Sequence, residues 1–472
     1  MTDSHHQATP ARIEVAVAAQ VAIFLVGVSW AFGGNADWVR TPISIWGSVG
    51  MAITLVLVSR KDTRRRIASG TMSWLWPVVI LNAVVGISCL TPNFKSLKLG
   101  AETFLAPVRV DWWIPSAARS ELALRSLWLF DGIYFSCLNL ALAISRRKTI
   151  RTLLAVAVGN ALALSVFGIV QKLTNSTGIF FGAVKSPQDF FFASFVYDNH
   201  WGSFCILMLG ACVGLIFRYA SGIDGGGLFR GPALSGFVAA VLIGSSIPLS
   251  GSRACSLMLG ILTAVCAAQG LPRAHRALRR SGASSLGALA ALALAAVFMI
   301  ASVWMVAGDS IQARAAKTKV QVAVIWAQGG LGSRSILYQD TWRMARDRVL
   351  FGWGMGSYPT VFNLYNSQTS KVDRLPIIYH DAHSDWIQSV AEIGLVGTLL
   401  VGVAALMPVL AIRSAKIRPI PFFLFSGCVL IAAYAWIEFP FGNVAVVLAW
   451  WFCLFGAIQY VRLTEGSELG AT

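Results

Sequence analysis

Apolar and polar positions are segregated along this chain into long blocks. Runs long enough to cross a bilayer, which takes ~20 apolar residues, recur twelve times, at roughly 15–33, 41–59, 72–90, 122–144, 152–173, 201–219, 232–250, 254–271, 285–307, 386–412, 420–437 and 443–461. The pattern predicts an all-α, polytopic membrane protein. The first run follows a polar head, Met1–Glu14, and no small-residue cleavage pattern comes after it, so it is expected to stay as a span. The widest gap between runs is 308–385, a loop of 78 residues. The chain therefore divides into 1–307 with nine spans, the loop 308–385, and 386–472 with three spans and a tail.

A loop of that length is expected to carry secondary structure of its own. The pattern predicts one helix over 310–328 and a second over 333–347, with Arg334, Tyr338, Trp342 and Ala345 on one stripe. Gly352-x-Gly354-x-Gly356 follows. It comes after a helix and lacks the dinucleotide spacing, so it reads as a turn that redirects the chain.

Charge fixes the expected orientation. The chain carries a formal +17, but charged residues are only 12% of it. The basic residues cluster at 60–66, 146–151, 218–230, 273–280 and 413–418, and twelve crossings put all five clusters and both termini on one side. That is the positive-inside pattern, so these loops are expected in the cytoplasm, and nucleic acid is not an expected partner. Loops 34–40, 91–121, 174–200, 250–253 and 308–385 then face the opposite, periplasmic side, and Trp112-Trp113-Ile114-Pro115 suits the membrane interface. The eight cysteines lie in or at the ends of apolar runs without Cys-x-x-Cys spacing, which predicts small buried side chains, not disulfides or a zinc site.

The candidate chemistry sits at the periplasmic ends of spans. In Tyr379–Gly397, two histidines and two aspartates stand directly before an apolar run. Ser384 is placed to cap the following helix, with His383 just outside it at the water–membrane boundary. Asp385, Gln388 and Glu392 share one helical face; Gly394 lies about opposite, where a neighbouring helix can pack. His383 is a general-base candidate; the alternative is an interfacial histidine bonded to a loop carbonyl. Arg253 begins a span and suits either lipid phosphate or a substrate pyrophosphate. Arg334, four residues before Tyr338, reads by itself as a solvated loop arginine. Arg343, Arg346 and Arg348 read as a solvated basic face near lipid headgroups. Asn199-His200 opens a span, as a cap and interfacial histidine or as site residues, and His380 with Asp381 is near enough in sequence to join them. Asp131 and Glu438 are membrane carboxylates that need partners, with structural and substrate roles both open. No P-loop, no Gly-x-Ser-x-Gly and no outer-loop Asp-x-Asp occurs, so nucleotide-sugar, serine-hydrolase and metal-dependent chemistry lack their usual residues.

His383-Ser384, nine residues, then Gly394-x-x-Gly397 resembles the His-[Asn/Ser/Gln]-x9-Gly-x-x-Gly signature of the bacterial O-antigen ligase and O-antigen polymerase superfamily. Phe195–Gly202, Leu249–Ala254 and Arg334–Tyr338 with the glycine turn resemble its other segments in order and spacing. Ala254 stands where glycine is usual, Tyr338 where tryptophan is common and Asp198 where many members carry a basic residue. The resemblance implies a C-type glycosyltransferase-like helical fold. It implies an undecaprenyl-diphosphate-linked glycan donor, with lipid A-core or another glycan as acceptor, in the inner membrane with the active site facing the periplasm. It implies that Arg253 and Arg334 hold the pyrophosphate and that His383 activates the acceptor hydroxyl, with Asn199, His200, His380 and Asp385 as further site candidates and no metal or cofactor. Ligation of O-antigen to lipid A-core is the favoured expectation. Polymerisation of O-antigen or exopolysaccharide is the alternative, and a flippase without covalent chemistry the rival from another class.

Overall fold

The computed structural model describes residues 8–60, 70–99, 102–108, 110–188, 190–220, 231–280, 333–369 and 377–469. Twelve longer helices run through them: α1 (Ala8–Trp30), α2 (Asp37–Ser59), α3 (Trp76–Leu90), α4 (Ser120–Ala143), α5 (Arg147–Leu173), α6 (Asp198–Ala220), α7 (Pro232–Ser250), α8 (Arg253–Arg280), α9 (Ser333–Asp347), α10 (Asp385–Leu410), α11 (Pro419–Tyr434) and α12 (Val444–Leu469). Among the described residues, ten segments are long and apolar enough to span a bilayer, and α11, at 16 residues, is shorter. The protein is a multi-pass helical membrane protein. The expected span at 285–307 and helix at 310–328 lie outside the described residues. The expected helix over 333–347 is α9.

The helices pack through small residues. A Cβ on Gly47 of α2 would sit 2.7 Å from Gly132 Cα of α4, so the two backbones touch. Such contact replaces the hydrophobic drive that lipid does not supply. α6 and α12 are central, with Trp201, Phe204 and Phe455 fully buried. At the end of the bundle that carries the basic loops, Glu14 of α1 accepts hydrogen bonds from Ser145 Oγ and Thr149 Oγ1, and Gln459 of α12 donates to Ile144 O at 2.6 Å. At the other end, Ser194 donates to Ser29 O at 2.6 Å and Gly34 packs on Val444.

Two expectations change here. The 91–121 loop holds a two-stranded antiparallel hairpin, β1 (Phe94–Leu99) and β2 (Glu102–Pro107), with Phe94 opposite Pro107. The fold is thus helical with one small hairpin. Arg348 is not solvated: it donates to Val110 O at 2.7 Å and Ser116 Oγ at 2.8 Å and lies over the Trp353 ring, so it ties the hairpin loop to the turn after α9. Leu337 and Ala345 of α9 share a buried core with Ala391 of α10.

α10 is broken at Gly394, whose φ of 67° and ψ of −177° no helix contains. A continuous helix would pair Ala391 O with Leu395 N–H and Glu392 O with Val396 N–H. Here Trp353 N–H and Gly354 N–H donate to Ala391 O and Glu392 O at 2.9 and 2.8 Å, and Leu395 N–H and Val396 N–H donate to Val349 O and Leu350 O at 2.8 and 3.1 Å. The glycine turn is thus stitched into the break and takes up these four backbone groups. Gly394 does not face a neighbouring helix. A Cβ on it would stand 2.2 Å from Leu350 O.

Candidate active site

The polar face of α10 is consumed by the chain around it. Asp385 Oδ2 accepts from Phe441 N–H at 2.8 Å, Gln388 Oε1 from Ala382 N–H at 2.9 Å, and the Glu392 carboxylate from Gly356 N–H and Tyr358 N–H at 2.9 and 3.0 Å. Ser384 makes no capping bond. The Asp385 N–H instead donates to Ala435 O and Glu438 O, at 2.9 and 3.2 Å, so the end of α11 caps the start of α10. These bonds lock the 435–441 turn against residues 383–385.

That docking creates the site. Glu438, left open by the sequence, lies between two of the expected residues. Arg334 Nη2 donates to its Oε1 at 2.5 Å, and His383 Nδ1 stands 3.4 Å from its Oε2. The glutamate side chain is 5% exposed, against 48% for Arg334 and 29% for His383. The anion is therefore enclosed, while the arginine and the imidazole present open surface. Burial pushes Glu438 up, but the His383 hydrogen bond and the Arg334 charge outweigh it and hold the carboxyl below its ordinary range. A carboxylate at Nδ1 selects the tautomer that leaves Nε2 with its lone pair. His383 itself is left-handed, with φ of 50°, and its ring meets Phe439 edge-on at 4.8 Å.

Phe439 links the rest of the group. His200 meets it at 5.0 Å and Tyr197 stacks on it at 5.4 Å. His200 is buried and its Nε2–H donates to Phe439 O at 3.1 Å, which sets it behind the site as support for the 438–441 turn and away from the open surface. Asn199 Nδ2 donates to Tyr197 Oη at 2.8 Å, and Ser252 Oγ donates to Asn199 Oδ1 at 2.5 Å. Ser252 directly precedes Arg253, the exposed first residue of α8. A continuous set of contacts thus runs from Arg253 through Asn199 and Tyr197 to Phe439 and His383. Asp198, where a further cation was a possibility, is a buried acid whose carboxylate accepts from Asn199 N–H at 2.9 Å.

His380 is exposed, and Asp381 next to it is mostly enclosed. Burial pushes the Asp381 carboxyl up, opposed by His383, a Gln388 hydrogen bond, His380 and Arg40. Asp131 belongs elsewhere: Asn82 of α3 donates to it at 3.0 Å inside the bundle. Glu438, whose role the sequence left open, carried one legible signal, an acid at the end of an apolar run. Its partners lie 104 and 55 residues away, and nothing local names them.

The fold and site define a polytopic membrane protein with an arginine ion-paired to a carboxylate that also meets a histidine. Residues 238–402 match the family described as O-antigen ligase. Over that stretch, which holds Arg253, Arg334, His383 and Gly394, the chain carries the domain of the O-antigen ligase and polymerase superfamily. No curated protein matches it. The match suggests a glycosyltransferase-type enzyme that acts on lipid-linked glycans.

Proposed function

We propose that the protein transfers an oligo- or polysaccharide from undecaprenyl diphosphate to lipid A-core, as an O-antigen ligase of the bacterial inner membrane. The site faces the periplasm and both termini the cytoplasm in this reading, because the basic clusters of the sequence alternate with the loops that carry the site residues. The observation that carries the reading is Glu438 bound to both Arg334 and His383.

In the proposed reaction, the acceptor hydroxyl oxygen attacks the anomeric carbon as the bond from that carbon to the diphosphate oxygen breaks. His383 Nε2 takes the hydroxyl proton, and Glu438 stabilises the imidazolium through Nδ1. The undecaprenyl diphosphate leaves as an anion, and the charges of Arg253 and Arg334 offset it. No proton need be delivered to a diphosphate of low basicity.

Purified protein given lipid-linked glycan and lipid A-core, with EDTA present, tests this. Transfer by wild type that is lost in His383→Ala and Arg253→Ala supports the ligase. Growth of the lipid-linked chain with no transfer to lipid A-core moves the assignment to polymerase. Full activity in His383→Ala overturns the proposed role of that histidine.

A further inference from the structure

α9 reaches the site at two points, one helical turn apart. Arg334 binds Glu438, and Tyr338, four residues on along the same face, donates its hydroxyl to the His383 carbonyl oxygen at 2.8 Å, with Ile437 O at 3.4 Å. The His383 carbonyl points to α9 because the residue is left-handed, a conformation that a non-glycine residue leaves readily unless its surroundings hold it. Ser384 does not hold it, since its hydroxyl is buried without a partner and makes no cap. Other restraints next to the bend are the Asp385 N–H on Ala435 O and Glu438 O and the Ala382 N–H on Gln388 Oε1. The bend is thus pinned from α11 on one side and from Tyr338 on the other.

We infer that Tyr338 is a positioning residue for His383: its hydroxyl fixes the left-handed turn that aims the imidazole at Glu438 and leaves Nε2 on the open side. This rests on His383 being the base in the reaction proposed above. Burial pushes the phenol up against the opposing Arg334 charge, so the group is a protonated donor at neutral pH. Because Arg334 and Tyr338 share one helix, the residue proposed to hold the donor pyrophosphate and the residue that aims the base move as one body.

The test is Tyr338→Phe in purified, full-length protein, with kcat and the donor KM measured separately and a thermal melt run alongside. The expected result is a fall in kcat on the order of 10- to 100-fold, the scale of a misaimed catalytic group, with the donor KM within about twofold of wild type and the melt that of a folded protein. An unchanged kcat overturns the proposal. So does a rise in donor KM at constant kcat, which makes Tyr338 a donor contact instead. His383→Ala measured in parallel separates the two readings. If it is inactive while Tyr338→Phe is fully active, only the positioning role fails. If His383→Ala is fully active, the functional reading beneath it fails.

Discussion

Glu438 Oε2 lies 3.4 Å from His383 Nδ1, although 55 residues separate the two in sequence. The carboxylate also holds Arg334 at 2.5 Å, so one buried anion is shared between a candidate base and a candidate phosphate ligand. Removing its charge while keeping its shape is therefore informative. Glu438→Gln is expected to lower the transfer rate by about 10- to 100-fold, the usual scale for losing a carboxylate that orients a working histidine. Initial rates at saturating donor check this, and an unchanged rate removes Glu438 from the reaction.

Arg334 keeps about half its side-chain surface open while one arm holds Glu438. A lysine there keeps the charge but not the planar fork that pairs with a diphosphate. Arg334→Lys is expected to raise the donor KM by about 10-fold, and Arg334→Ala by more. Equal donor KM values in wild type and both variants would mean that the arginine serves the fold alone.

Two carboxylates should give opposite pH signatures in thermal melts. Glu438 is held below its ordinary range, so its ionised form stabilises the fold above the unfolded carboxylate pKa of about 4.3, and that contribution is lost as pH falls through the folded value. Glu438→Gln should therefore melt lower than wild type at neutral pH, with the gap closing below about pH 4. Asp381 is pushed up by burial, so its ionised form costs stability, and the cost disappears as pH falls through the raised value. Asp381→Asn should melt higher than wild type where Asp381 is ionised, with the gain fading on acidification. Parallel melts across about pH 2.5 to 8 distinguish the two signs, an interval that brackets the ordinary carboxylate range of about 4.

Two glycines of α10 should respond in opposite ways to alanine. At Gly394 the backbone is left-handed and a Cβ would stand 2.2 Å from Leu350 O, so Gly394→Ala must either close the break or push out the inserted turn. A loss of at least ~2 kcal/mol is expected from the conformation and the clash together. At Gly402 a Cβ meets nothing within 4 Å, so Gly402→Ala should be neutral or stabilising by up to ~1 kcal/mol. Melting temperatures in detergent check both. A Gly394→Ala protein as stable as wild type would mean that the break is not required.

The sequence by itself determined the helical membrane class and the places of most spans, and it singled out Arg253, Arg334 and His383 as candidates. Apolar runs of bilayer length admit one kind of structure, because lipid offers no partner to an open backbone. Polar residues beside such runs stand out for the same reason. Helix α9 was legible too, from its stripe of Arg334, Tyr338 and Ala345. What the sequence left undecided depended on contacts between distant segments. Glu438 carries no local mark of its partners, and Arg348 looks like a surface cation until β2 and its loop fold over it. Ser384 has the right type and position for a cap, but the carbonyls of α11 take that role. Gly394 belongs to a spacing that was visible, while its purpose was not. Only the tertiary structure shows it opening α10 so that Val349–Gly354 can replace the missing backbone bonds. Local patterns report what a segment can bury, and the site was settled by which buried polar group met which partner.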